Sequence, residues 1–231
     1  MQNGTRIFAF VVIVVCAIDC GFSVLAADEE LEGELIIGKQ FPDGFGVVTS
    51  SLSPNKRYGV LVPADFDHYD ETKHQNKLVE VNTGRTLALI DAEPGKAGFM
   101  NHGGIQPSRW SADGSLLLWE VAGKWSPRAL VLLKIEEGKV KWQRDLLKMA
   151  QQAILTRTRK FLPKDFGAFT AIDVHVNGKE DATLSLPLAV RAEFDSNPKA
   201  MEPPPSVYVH SEMEATIDSD GRLIVKKFRK K

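Results

Sequence analysis

From residue 34 to residue 141 the apolar residues occur in short runs separated by turn-forming residues, and this pattern favours a fold built from β-strands. The runs that predict strands are 46–50, 58–62, 77–81, 86–90, 116–121 and 129–135. Segments rich in Gly, Asn, Asp, Ser and Pro separate them and predict reverse turns at 53–56, 82–84, 112–114 and 136–138. The N-terminal half is therefore expected to form antiparallel β-structure.

Two of these units repeat. When Ser53 is aligned with Ser111, the polar turn residue Asn55 is aligned with Asp113. The apolar strands that follow the two turns are then aligned as well. Further along, the turn glycine Gly84 aligns with that of 136–138. The period is about 55 residues, within the range of blade-type repeats.

The turns SPNK (53–56) and SADG (111–114), each followed by an apolar strand, resemble the SPDG turn of WD40-like and TolB-like β-propeller blades. The turns NTG (82–84) and EEG (136–138) resemble the inner hairpin of the same blades. The resemblance covers roughly residues 46–142. Closed propellers typically have about four to eight blades, and only two are found, so the resemblance implies truncated or open blade-like sheets. The strings NHGG, RWSADGSLLLWEV and DLLKMAQQAILTRTRK are also similar to uncharacterised secreted bacterial proteins, which implies export and no particular activity.

The C-terminal half begins with a predicted helix over residues 145–160. One face carries residues at spacings of three and four, namely Leu146, Met149, Ala150, Ala153, Ile154 and Arg157. Two hairpins follow: strands 169–176 and 182–194 about the Asn-Gly turn 177–178, and strands 208–217 and 222–228 about 218–221. The predicted class is α+β, mostly antiparallel β, with open blade-like sheets, one amphipathic helix and C-terminal β-hairpins. Residues 27–142 and 143–231 form either one domain or two.

The N-terminus has the three parts of a secretory signal peptide. Arg6 precedes the apolar run 7–18, and the small residues Val24, Ala26 and Ala27 precede an acidic segment. We expect a signal peptide over 1–26, cleaved after Ala26 or after Ala27, and a secreted or periplasmic protein. A retained anchor is the alternative, although Asp19 is costly at bilayer depth.

Both cysteines, Cys16 and Cys20, lie in this leader, so the mature chain is expected to be cysteine-free and to contain no disulfide or thiolate site. The chain has 29 Lys and Arg against 30 Asp and Glu, a net charge of -1. This balance gives no reason to expect nucleic acid as a partner. The basic stretch 226–231 is either a handle for an acidic surface or a solvated last strand.

The densest polar cluster lies between two predicted strands and suggests a divalent metal site. Its oxygen and imidazole ligands are Asp65, Asp67, His68, Asp70 and His74. The pattern is not an EF-hand, because it lacks the loop glycine and the final Glu. A solvated loop is the alternative interpretation.

Two further candidates are a histidine and the tryptophans. His102, beside two glycines, is a candidate base or ligand, with a simple turn histidine as the alternative. Exposed tryptophans anchor sugars and protein partners. Trp125, next to a Gly-Lys turn, and Trp110 are the binding candidates, whereas Trp119 lies in an apolar strand and is expected in the core.

Two functions remain open on the sequence. The first is a non-catalytic binding or scaffolding protein outside the cytoplasm, with a protein or carbohydrate partner and no membrane span after leader removal. The second is a metal-assisted hydrolase that uses the divalent metal cluster and His102. No other cofactor is predicted.

Overall fold

The computed structural model describes residues 34–64, 76–90, 108–121, 129–162, 170–177, 184–196 and 209–231. Within these ranges the chain forms three antiparallel sheets and one α-helix. The N-terminal sheet contains β1 (Leu35–Ile36), β2 (Phe45–Val48), β3 (Tyr58–Pro63), β4 (Lys77–Glu80) and β5 (Arg85–Leu89). The middle sheet contains β6 (Arg109–Trp110), β7 (Leu116–Val121), β8 (Ala129–Glu136) and β9 (Lys139–Asp145). Helix α1 (Leu146–Thr158) leads to the C-terminal sheet of β10 (Thr170–Val176), β11 (Leu188–Ser196), β12 (Val209–Ile217) and β13 (Leu223–Lys230).

In each sheet the strand order follows the chain, so every sheet is an open antiparallel meander. The predicted class, α+β with mostly antiparallel open sheets and one helix, is confirmed for the described residues. The six strands predicted in the N-terminal half all form, with ends shifted by at most two residues. Strands β1, β6 and β9 are not among the predicted runs. The first two contain two residues each, too few for a pattern to show, and β9 has only Val140 and Trp142 as apolar residues.

The first repeated turn is closed by a serine hydroxyl. Ser53 Oγ donates to Asn55 Oδ1 at 2.8 Å and accepts the backbone N–H of Tyr58 at 3.0 Å. The Asn55 side chain also accepts the N–H of Arg57 at 3.0 Å. Lys56, in the left-handed region with φ 56°, completes the turn. Side-chain oxygens thus satisfy N–H groups that the strands leave unpaired.

The second turn has the same hydrogen bonds. Ser111 Oγ donates to Asp113 Oδ1 at 2.5 Å and accepts the N–H of Leu116 at 2.8 Å, while Asp113 accepts the N–H of Ser115 at 3.0 Å. The left-handed position is occupied here by Gly114, with φ 68°. The repeat found in the sequence is therefore a repeat of structure, residue for residue.

One face of the middle sheet packs against the N-terminal sheet. The N-terminal sheet and its flanks contribute Val48, Tyr58, Val60, Val62, Leu78 and Ile90. The middle sheet contributes Trp110, Leu117, Trp119, Ala129, Val131, Leu133 and Ile135. Because alternate residues of a strand point to opposite faces, this core uses only every second residue of β7 and β8.

The other face of the middle sheet packs against α1 and the C-terminal sheet. It presents Leu116, Leu118, Leu130, Leu132 and Trp142. Opposite it lie Leu146, Ala150 and Ile154 of the helix and Leu188, Val190, Ala192, Phe194, Met213, Ala215 and Ile217 of the sheet. This core spans the predicted boundary at residue 142, so the two halves of the chain share buried side chains.

Helix α1 forms where the spacing predicted it. The Asp145 side chain accepts the N–H of Lys148 at 3.2 Å and caps the first turn. A turn of 3-10 helix, Arg159–Phe161, extends the last turn. Arg157 differs from its predicted place on the apolar face: it is exposed and donates to the carbonyl of Ala153 at 2.8 Å.

The hairpin of β12 and β13 about residues 218–221 is confirmed. The hairpin predicted about 177–178 is wrong in its second strand. Val176 pairs with Val190, and β11 begins at Leu188 instead of residue 182. Pro187 has no N–H to donate, so regular pairing starts only after it. Asn177 still ends β10, with φ 54°, and its side chain accepts the N–H of Ala189 at 2.9 Å.

The contribution of the second repeated turn to stability can be tested by substituting Asp113, whose counterpart in the first turn is Asn55. Hydrogen bonds from Ser111 and Ser115 lower the pKa of Asp113 from 3.8 to about 2. Its ionised form therefore stabilises the fold above the unfolded pKa, and this contribution is lost as pH falls through about 2. At pH 7 we expect Asp113→Ala to lower the free energy of unfolding by about 1 kcal/mol.

Asp113→Asn, which carries the side chain present at Asn55, is the matched control: it keeps the acceptor oxygen and lacks the charge, so we expect it to lose less stability than Asp113→Ala at pH 7. Chemical denaturation at pH 7 and at lower pH measures both variants. We expect the deficit of Asp113→Ala to shrink as pH falls from about 4 to about 2. Equal losses for the Asn and Ala variants would show that the side-chain acceptor does not hold this turn.

Candidate functional site

The reverse turns of the N-terminal and middle sheets lie at one end of the pair, which we call the turn end. There Arg85 Nη2 donates to the carbonyl of Gly138 at 3.1 Å, joining a turn of one sheet to a turn of the other. Antiparallel strands alternate in direction, so a strand that begins at a turn finishes at the opposite end of its sheet. The chain segments that connect one such hairpin to the next begin and end there, and we call it the open end. At the open end, three of these connections are flanked by described residues: Ala64 and Asn76, Ile90 and Ser108, and Val121 and Ala129.

These six residues flank the three segments that contain most of the sequence-predicted site residues. The divalent metal candidates Asp65, Asp67, His68, Asp70 and His74, the candidate base His102 and the binding candidate Trp125 all lie outside the described residues. The described residues on either side of their segments lie at the open end. Among the described residues, no three His, Cys, Asp or Glu side chains are grouped as a metal site requires.

Trp110, the other binding candidate, is in the core. It is 7% exposed, its ring lies 6.4 Å from that of Tyr58 in a stacked pair, and its Nε1 donates to the carbonyl of Ser51 at 3.0 Å. The expectation of an exposed Trp110 is therefore wrong. The polar end of the indole finds its partner inside the protein, and the residue joins the middle sheet to the N-terminal sheet. Trp119, expected in the core, is 2% exposed.

A polar cluster lies at the open end, where the edge strand β10 of the C-terminal sheet comes close to the middle sheet. It consists of Arg109, Glu120, Asp173 and His175, and we call it the Glu120 cluster. Glu120 follows Leu118 by two residues on β7 and so points to the same face, toward the C-terminal sheet. Arg109 is paired directly opposite Leu118 and shares that face.

The guanidinium of Arg109 connects the two sheets. Its Nη1 donates to the carbonyl of Val176, the last residue of β10, at 3.3 Å. Asp173 and His175 come from the same strand, with His175 Nε2 at 2.9 Å from Asp173 Oδ2. Asp173 is 68% exposed in its side chain and His175 25%, so the cluster extends from the inter-sheet core to solvent.

The electrostatics of the cluster centre on Glu120. Burial raises the pKa of Glu120, because the charged carboxylate is poorly solvated there. The positive charge of Arg109 lowers this pKa and the negative charge of Asp173 raises it, but both effects are smaller than that of burial. A carboxyl in this position either takes up a proton or gains from a cationic or hydrogen-bond-donating group placed against it.

The sequence offered only a weak signal for this cluster. Glu120 is an acidic residue near the end of a long apolar run, which is compatible with simple exposure at a strand end. Its burial depends on β10, about fifty residues later in the chain, which no local pattern connects to β7.

No protein-family model, curated protein or solved structure matches this chain. Across the described residues, no helix is both long and apolar enough to span a bilayer.

The raised pKa of Glu120 has a consequence for stability. A carboxyl whose pKa is higher in the folded than in the unfolded state stabilises the fold at low pH, and this contribution is lost as pH rises through the folded pKa. Glu120→Gln keeps the shape and removes the poorly solvated charge. We expect its melting temperature to exceed that of wild type at pH 7 to 8 and to match it below about pH 4.

Thermal unfolding across this pH range measures the difference, with the exposed Glu214→Gln as the control for loss of one surface carboxylate. A Glu120→Gln protein that is less stable than wild type at pH 7 would mean that the attraction to Arg109 outweighs desolvation.

Proposed function

We propose that this is an exported, non-catalytic binding or scaffolding protein that contacts an extracytoplasmic protein or carbohydrate at its open end. The observation that carries this proposal is that the six residues flanking three chain segments all lie at one end of two packed sheets. Binding residues are commonly found on connections held by a rigid scaffold. The turn end, by contrast, consists of short turns whose polar groups bond to one another.

The sheets that end at the open end are held together by buried apolar side chains and by hydrogen bonds. The sheets share two continuous cores, and polar side chains cross between them, as Trp110 to Ser51 and Arg109 to Val176 illustrate. Residues anchored on such elements keep their relative positions when a partner binds, which lowers the entropic cost of association. The Glu120 cluster adds a partly buried carboxyl and a guanidinium at the same end.

The location outside the cytoplasm rests on the N-terminal sequence. The apolar run 7–18 and the small residues before Asp28 are typical of a leader that is cleaved during export. Trp125 is the aromatic residue that we assign to the binding surface, because it lies in the segment between Val121 and Ala129 at the open end.

The tryptophans provide a direct test of Trp125. The chain has four, and three of them are buried: Trp110 at 7%, Trp119 at 2% and Trp142 at 7% exposure. Iodide, a charged quencher, reaches only exposed indoles. We therefore expect iodide to quench part of the fluorescence of the mature protein and to quench almost none in Trp125→Phe.

Addition of peptidoglycan fragments or other cell-surface glycans to the wild-type protein should then protect this fraction from iodide if carbohydrate is the partner. Trp125→Ala should retain the melting temperature of wild type. Quenching that persists unchanged in Trp125→Phe, or unfolding of Trp125→Ala, would place Trp125 in the core and remove it from the binding surface.

Metal analysis separates binding from the metal-assisted hydrolase. A protein that holds a catalytic metal retains close to one equivalent after purification, whereas we expect less than about a tenth of an equivalent here. We also expect Asp65→Ala/His68→Ala/His74→Ala to match wild type in metal content and in melting temperature with added Zn²⁺. A bound equivalent that this triple variant loses would overturn the non-catalytic proposal.

A further inference from the structure

Two basic stretches that are far apart in the sequence meet at one corner of the molecule. The first is the end of α1 with the following 3-10 turn, and the second is the edge strand β13. The ring of Phe161 lies between them, with Lys160 Nζ at 4.8 Å and Lys230 Nζ at 3.9 Å from its centroid. We call this surface the basic corner. It comprises Arg157, Arg159, Lys160, Lys226 and Lys230, whereas Lys227 and Arg229 point to the other face of β13.

The cations of the basic corner are not neutralised by ion pairs within the described part of the chain. Some basic residues elsewhere have carboxylate partners: Arg57 and Arg85 pair with Glu80, and Lys141 pairs with Glu136. None of the five cations of the basic corner has such a pair among the described residues, and all five are exposed. A chain with a net charge of -1 therefore concentrates unpaired positive charge on one surface.

The carboxylates nearest to β13 lie on the neighbouring strand. Glu214 is opposite Lys227 in the register, and Glu212 is opposite Arg229 and bonded to Lys231. They moderate the charge on the outer side of the edge strand. No acidic residue lies among positions 146–162, so no carboxylate of the helix itself offsets the cations at its end.

We propose that the basic corner attaches the protein to the surface of a membrane that contains anionic phospholipids. Clusters of four to eight Lys and Arg bind such membranes, each cation adding roughly a factor of five in affinity. The cations lie on long side chains spread over two elements, an arrangement suited to many mobile phosphate groups. Recognition of a single phosphate would require a fixed set of donors converging on one point.

The lysines of β13 can also be explained by the position of this strand at the edge of the sheet, and the experiment must separate that explanation from membrane attachment. Lysines on an edge strand prevent other chains from adding to the sheet. This protective role concerns β13 alone and does not involve the helix end. A role in membrane attachment requires both elements, so substitutions on both should reduce binding.

The test is sedimentation of the mature protein with vesicles. The anionic vesicles contain phosphatidylglycerol and phosphatidylcholine in a roughly 1:2 ratio, and the neutral vesicles contain phosphatidylcholine only. We expect wild type to bind the anionic vesicles at low salt, to dissociate as salt is raised and to ignore neutral vesicles. Arg159→Glu/Lys160→Glu/Lys226→Glu should weaken binding at least about tenfold.

The matched control is Lys39→Glu/Lys139→Glu/Lys148→Glu, which makes the same change in net charge at exposed residues away from the corner. We expect it to bind within about twofold of wild type. Melting temperatures establish that both variants fold, and Arg159→Gln/Lys160→Gln/Lys226→Gln provides a milder version with an intermediate loss. Absence of wild-type binding, equal losses in test and control variants, or binding to soluble polyglutamate or RNA in preference to vesicles would overturn the proposal.

This inference is independent of the function assigned to the open end, because no residue of the basic corner belongs to that end. Failure of the vesicle experiment leaves the fluorescence and metal experiments unaffected.

Discussion

The middle sheet is buried on both faces, and this constraint organises the rest of the molecule. Leu117, Trp119, Val131 and Leu133 face the N-terminal sheet, while Leu116, Leu118, Leu130 and Leu132 face the helix and the C-terminal sheet. A strand buried on both faces is a nearly continuous apolar run, as LLLW in β7 and ALVLL in β8 are. Such a sheet cannot face water, so it needs a cover on each side. The N-terminal sheet supplies one cover, and α1 with the C-terminal sheet supplies the other.

Polar groups join the three layers at their margins. Trp110 and Arg85 bond from one sheet to backbone carbonyls of its neighbour on the N-terminal side. On the C-terminal side, Trp142 Nε1 donates to the carbonyl of Ser219 at 2.9 Å and Arg144 Nε to that of Gly221 at 3.2 Å. The indole of Trp142 lies so close to Gly221 that a Cβ there would come within 2.9 Å of the ring. Apolar burial brings the sheets together, and these directional contacts determine how they are aligned.

The candidate binding end and the basic corner follow from this layered arrangement. Because the turns of the first two sheets meet at one end, the residues that flank the connecting segments lie at the other. Because β10 lies beside the middle sheet, Glu120 is partly buried near Arg109 and its pKa is raised. Because α1 packs against the C-terminal sheet as far as β13, the cations at its end join those of the edge strand at Phe161. A single packing order thus produces two separate polar surfaces.

Sequence alone determined the features that depend on neighbouring residues. Turn chemistry and apolar runs predicted the ends of six strands in the N-terminal half to within two residues, and the alignment of Ser53 with Ser111 predicted a repeat that the structure shows as a shared set of hydrogen bonds. The helix followed from the spacing of its apolar residues. Only the tertiary structure decided the burial of Trp110, the environment of Glu120 and the basic corner. Each of these depends on residues that are far apart in the chain and meet only through packing, which a local pattern of polar and apolar residues does not encode.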